Sequence, residues 1–166
     1  MLTNVSTGDK IQVSLHHIGR VKSKNTLPAL EEGAINVAQP LNEFLRSLPK
    51  SDFALLSAAL KRVSLKSGDV LGEAGSPLQN VYFPEAGLIS VVLELSSGDR
   101  IETGLVGRTG MLGAAAAFGA LTQVNSVMVQ MSGSAYVMKA AELIEAARRS
   151  ESLRCALFKE EQFMLV

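Results

Sequence analysis

Residues 106–130 read VGRTGMLGAAAAFGALTQVNSVMVQ. The stretch opens with glycines set among small residues, the composition that lets a backbone approach a phosphate closely. It ends in SVMVQ, which alternates like a strand. Between Thr109 and Gln130 there is no Arg, Lys, His, Asp or Glu. A loop of phosphate-cradle shape without a single charge decides both the fold and the function of the chain.

Outward from that stretch the period changes twice. On the N-terminal side, PLNEFLRSLP places Leu41, Phe44, Leu45 and Leu48 at helical spacing, and Pro49 ends the run. Ser51 is the expected N-cap of a second helix, with Phe53, Leu56 and Leu60 on one face. The period then falls to two. RVSLKSG, VLGEAGSPL, VYFPEAG, GLISVVLEL, RIETGLVG, SVMVQM and SAYVMK predict six to eight short strands. Turns are expected at Gly68, at Ser97-Gly98-Asp99 and at Ser132-Gly133. After Lys139 the helical period returns, in AAELIEAARRS and ESLRCALFKEEQFMLV. Many short antiparallel strands with helices packed on one end give a mainly β fold, a sandwich, roll or barrel. Residues 1–38 read as a loosely ordered leader, 39–139 as the roll, and 140–166 as C-terminal helices.

Composition narrows the function. The chain has 166 residues, 47% of them hydrophobic, and 16 basic against 16 acidic residues. That suits one globular domain and supplies no global field for nucleic acid or an anionic membrane. No apolar run is long enough to span a bilayer, and no secretory signal precedes the fold, so a cytoplasmic protein is expected. One cysteine, Cys155, excludes an internal disulfide or a four-cysteine metal site. His16 and His17 are adjacent and on a strand would face opposite ways, so they read as solvated side chains, not metal ligands. No nucleophile–base set, H-x-x-x-H, C-x-x-C or Walker motif occurs; no enzyme, no cofactor and no metal are expected.

The order LPKSDFALLSAALKRVSLKSGDVLGEAGSPLQNVYFPEAGLISVV resembles the sensor domain of Crp/Fnr-type bacterial transcription regulators. Leu65, Gly68, Val70, Leu71, Glu73 and Gly75 carry the first motif. Val81-Tyr82-Phe83-Pro84, Gly87 and Ser90 carry the second. Val106-Gly107-Arg108-Thr109-Gly110-Met111-Leu112-Gly113 carry the third. The resemblance implies the double-stranded β-helix or jelly-roll-like cyclic-nucleotide-binding fold, followed by a dimerisation helix. In nucleotide-binding members a Gly-Glu pair opens a short helix, the Glu accepts from the ribose, and a downstream Arg holds the cyclic phosphate. Here Gly113 is kept, Ala114 stands at the Glu position with Ala115 after it, and Ser126 stands at the Arg position beside Asn125.

Losing one partner of a desolvated charge pair costs about 2–5 kcal/mol, and helix amides contribute only about 1 kcal/mol toward an anion. The cassette is therefore expected to keep its shape, packed by Met111, Leu112, Phe118 and Leu121, and not to bind cyclic AMP. Restoring Glu at 114 and Arg at 126 is expected to return measurable binding unless the pocket has collapsed around Phe118 and Leu121. Arg108 reads as a solvated turn residue rather than a substitute clamp, and Glu73 as structural. Cys155 reads as a buried structural thiol, and Met111, Met128, Met131 and Met138 as core filler.

Two functions follow. One is a sensor domain of a Crp/Fnr-like regulator with an unknown effector. The chain ends at Val166, which leaves no room for a helix-turn-helix, so no DNA binding by this chain alone is expected. The other is a stand-alone protein–protein interaction module with the same fold and no small ligand. In either case Leu153, Leu157 and Met164 fall on one face of the last helix and are expected to line a homodimer seam. Packing of that helix back onto the roll is the competing arrangement.

Overall fold

The computed structural model describes residues 39–163 with the exception of Ser96. The leader, with His16 and His17, and Met164 lie outside these residues. Two short helices come first, α1 (Glu43–Ser47) and α2 (Lys50–Ser57). Strands β1 (Lys61–Leu65), β2 (Val70–Gly72), β3 (Asn80–Glu94) and β4 (Arg100–Val106) follow. A 3-10 helix (Ala114–Phe118), β5 (Ser126–Lys139), α3 (Ala140–Arg149) and α4 (Glu151–Phe163) complete the order. The sheet runs β1-β5-β3-β4, every pair antiparallel, with β2 also on β5. This is the antiparallel roll with flanking helices that the sequence implies. Among the described residues no helix is long and apolar enough to cross a membrane.

The expected strand count is corrected to five among the described residues, because two expected breaks are bends within long strands. VYFPEAG and GLISVVLEL join as β3, and SVMVQM and SAYVMK join as β5. Register shifts along the β3–β5 pair between Pro84 and Ile89 do the bending. They also reverse the side-chain alternation. Val81 and Phe83 face the helices, whereas Ile89 and Val91, at the same parity, face the roll interior with Val63, Leu65, Val127 and Val129.

The backbones nearly touch at this bend. A Cβ on Gly133 would overlap the Ala86 carbonyl, and Gly87 holds φ +86° beside the Met131 carbonyl. Ser132-Gly133 is thus a crossing point and not a turn. Gly133→Ala is expected to cost about 3 kcal/mol or more, because backbone, not a flexible side chain, must move. Urea melts of the variant check this; an unchanged midpoint would show that the bend is pliable.

The turns expected at Gly68 and at 97–99 are present. Gly68 takes φ +91°, and the Leu95 amide donates to the Asp99 carbonyl at 2.8 Å to close the β3–β4 hairpin.

A second core lies between sheet and helices. Phe44, Leu45, Leu48, Leu56, Leu60, Val81, Phe83 and Met111 meet Leu143, Leu153 and Leu157 there. The Phe44 and Phe83 rings stack with centroids 6.0 Å apart. Helix α1 starts at Glu43 behind its N-cap Asn42, Leu41 is exposed, and the buried apolar stripe begins at Phe44. Pro49, and not Ser51, occupies the N-cap position of α2.

Asn42 is fully buried and explains how so short a helix is held. Its Oδ1 accepts from the Leu45 amide at 3.1 Å. Its side-chain amide donates to the carbonyls of Pro84 at 2.9 Å, Arg108 at 3.2 Å and Gly110 at 2.8 Å. Glu85, nearly buried, accepts from the Leu41 amide at 2.6 Å.

Candidate functional site

The third motif enters the site along β3. The Tyr82 amide donates to the Leu112 carbonyl at 3.1 Å, and the Leu112 amide returns a bond to Tyr82 at 2.8 Å. Gly113 then turns at φ +91°, where a Cβ would lie 2.8 Å from Val81 Cγ1. Only glycine meets both conditions. The helix that follows is a five-residue 3-10 turn. Its alternate residues Ala114 and Ala116 are buried against the helical core, Ala114 at 2% exposure, while Ala115 is half-buried.

Ser126 opens β5 and lines a cavity of about 50 Å³ with Val70, Glu73, Val92, Arg100, Val127 and Met128. Small-molecule pockets measure about 300–1,000 Å³. Further contacts hold the neighbouring backbone. The Ser126 hydroxyl accepts from the Ala74 amide at 3.1 Å. The Gln123 amide and carbonyl bond to Ser76 and Gly75 at 2.9 and 2.8 Å. The Gln123 side chain lies over Gly72, where a Cβ would overlap its amide. Segment 121–123 is thereby laid along segment 75–78, with Pro77 bridged to Thr122.

The sequence-derived site residues are only partly brought together. Ser126 sits at the cavity, and Glu73, read as structural, lines it too. Arg108 does not: its guanidinium pairs with Glu43 at 3.7 Å, and its carbonyl accepts from the Glu43 amide at 2.9 Å. The cation at the cavity is Arg100, on the far side of the β3–β4 hairpin and paired with Glu94 at 3.7 Å. Sequence reasoning missed it because only the pairing of β3 with β5 brings residue 100 near residue 126. Asn125 is half-buried beside Ser126 and is not among the cavity-lining residues. Met111 and Leu112 pack as expected, but Phe118 and Leu121 are about half exposed. Met131 is exposed as well, correcting its reading as core filler, whereas Met111 and Met138 are buried.

The last helix carries the largest correction. Leu153 and Leu157 are fully buried, at 0% exposure, in the chain's own helical core. They do not line a seam between copies; the capping arrangement is the one present. Asp52, buried on α2, fixes the corner by accepting from the hydroxyls of Ser150 at 2.7 Å and Ser152 at 2.6 Å. Ser150 Oγ accepts from the Leu153 amide at 3.1 Å, which starts α4. At the far end Glu160 Oε1 accepts from the Met111 amide at 3.2 Å, tying α4 to the cassette loop. Burial raises the Glu160 carboxyl above the usual carboxylate range, with the Met111 amide opposing and Glu161 adding to the rise. Cys155 points outward and is exposed, not buried as expected. Among the described residues no group of His, Cys, Asp and Glu could hold a metal ion.

Among curated proteins, none matches the chain. Solved structures share the fold. The N-terminal domain of a transcriptional regulator from Streptomyces coelicolor A3(2) superposes with a TM-score of 0.58 at 18% identity, covering 75% of this chain and 87% of that one. The sensor domain of the transcriptional regulator DNR from Pseudomonas aeruginosa gives 0.60 at 15% identity, with 74% and 83% covered. The Thermus thermophilus catabolite activator protein gives 0.62 at 14% identity, with 74% and 58% covered. The sequence itself matches the family described as cyclic nucleotide-binding domain over residues 62–150, more than half of its length. The bent antiparallel roll accords with this match, and the conclusion is that the chain belongs to the cyclic nucleotide-binding domain family.

Proposed function

We propose that the chain is a cytoplasmic sensor domain of a Crp/Fnr-like bacterial transcription regulator, with a degenerate cassette that does not bind cyclic AMP. It is a regulatory and not a catalytic domain. The observation that carries this reading is the cavity at Ser126, about 50 Å³ in volume. Its serine hydroxyl is already committed to the Ala74 amide. At the Glu position of the family motif, Ala114 faces the apolar core. A nucleotide entering there would have to displace the 75–78 and 121–123 pairing as well as supply its own charge partners. Arg100 is near, but Glu94 shares it.

Calorimetric titration with cyclic AMP and cyclic GMP is expected to show no binding tighter than about 100 μM, since loss of one buried charge partner alone costs roughly 30-fold to several thousand-fold. A dissociation constant of about 10 μM or below would overturn the reading. In this reading the chain does not bind duplex DNA by itself. Its arginine cluster of Arg148, Arg149 and Arg154 is small, and Arg148 is partly engaged by Glu145 at 3.8 Å. Self-association as a homodimer would use the face of α4 that the core leaves free. There Phe158, 52% exposed, meets Phe118 edge-on at 5.7 Å.

A further inference from the structure

Residues 45–53 read LRSLPKSDF. Pro49 cannot continue α1 and keeps the residue before it extended, so Leu48 takes ψ 141° and α2 sets off from a corner. That corner holds an open cavity of about 380 Å³, which shares no lining residue with the one at Ser126. Pro40, Leu45, Leu48 and Phe53 supply its apolar lining, and Arg46 and Lys50 bring two positive charges. Among the described residues no carboxylate lines it, and neither cation is in an ion pair. The acids of the two helices are engaged elsewhere. Glu43 pairs with Arg108 at 3.7 Å, and Asp52 is buried against the hydroxyls of Ser150 and Ser152. The helices that form the corner therefore leave its positive charge uncompensated.

Small-molecule pockets span about 300–1,000 Å³, with apolar walls that carry affinity and a few charged groups that fix orientation. This cavity lies at the low end of that range, which leaves room for a compact head group. We propose that it binds a small amphipathic organic acid, with the carboxylate against Arg46 and Lys50 and an aliphatic or aromatic body on Leu45, Leu48 and Phe53. The planar guanidinium of Arg46 matches a carboxylate, and Lys50 adds a point charge. A neutral apolar compound gains nothing from the two cations, and an inorganic anion gains nothing from the apolar lining. The site bears on the roll through α1. The Asn42 side-chain amide donates to the carbonyls of Arg108 and Gly110, and the Glu43 amide donates to that of Arg108. Helix α1 is thereby fastened to the loop that leads into Gly113. The corner is an effector site apart from the cassette, and it is independent of whether the cassette takes a nucleotide.

Titration of octanoate into the full, isotope-labelled chain, followed amide by amide by nuclear magnetic resonance, tests this. The amides of residues 45–53 are expected to shift saturably, with a dissociation constant of about 1 mM or tighter, as ligand efficiency allows for a molecule of this size. Those of residues 108–112 should follow, and those of Ala74 and Ser126 should stay. Octanol and inorganic phosphate should each bind at least about tenfold more weakly, because each lacks one half of the interaction. Both cations are exposed, so Arg46→Gln with Lys50→Gln should leave the amides of β3 and β5 in place. It should weaken octanoate binding roughly two- to thirtyfold, the range for two exposed ion pairs. Absence of saturable shifts at 45–53, or shifts centred on Ser126, overturns the proposal. So does octanol or phosphate binding as tightly as octanoate, or an affinity indifferent to the double variant. Silence at 108–112 overturns the coupling to the loop.

Discussion

Leu153→Glu combined with Leu157→Glu is expected to abolish cooperative folding of the helical end, without yielding a folded monomer from a dimer. Both side chains are completely buried among Leu56, Phe83, Met111 and Leu143. Removing a buried leucine to alanine already costs about 2–5 kcal/mol. A carboxylate at the same place adds its desolvation, or takes up a proton to avoid it. The sum for two adjacent core positions is comparable with the whole stability of a domain, about 5–15 kcal/mol.

Thermal melts by circular dichroism should show a lost or much lowered transition, and light scattering should show no clean halving of mass. A variant that melts like the unaltered protein and has half its mass would mean that these leucines face a partner. Phe158→Glu is the informative control. It lies on the same helix but on the exposed face, so it should leave the melt nearly unchanged.

Ala114→Glu with Ser126→Arg, which under the proposed reading would supply the two missing charges, is expected to destabilise the chain and not to create a nucleotide site. The carboxylate would enter at a position 2% exposed, packed in the helical core with Val81 and Ala116. Burying an unpaired charge is among the mutational effects that exceed about 4 kcal/mol. At Ser126 the substitution removes the acceptor of the Ala74 amide and drives a long side chain against a 50 Å³ space. A melt in the presence and absence of millimolar cyclic AMP checks both statements. The midpoint should drop, and the nucleotide should not raise it. A nucleotide-dependent rise would show that the cassette opens on demand and that Ala114 can turn outward.

The sequence determined the elements and the family. Alternation marked every strand region, glycines marked the turns at Gly68 and Gly98, and the 3.6 period marked all four helices. The motif around Gly113 was legible because a positive φ beside a packed Val81 admits only glycine, a constraint written in one residue.

Tertiary structure decided what each face meets. The stripe of Leu153 and Leu157 is the same whether a helix caps its own roll or lines a seam, because periodicity says which residues share a face and not what covers it. Their burial follows from Asp52 holding Ser150 and Ser152, contacts about a hundred residues apart in the chain. Strand continuity was hidden for a similar reason. Gly87 and Gly133 look like turn residues, yet they are where two long strands cross closely enough to exclude a Cβ. The cavity's cation was not foreseen because Arg100 is distant from Ser126 in sequence and reaches the cavity only through the pairing of β4 on β3 and β3 on β5. Local pattern fixes conformation one residue at a time; proximity across the sheet depends on register, which three shifts between Pro84 and Ile89 reset.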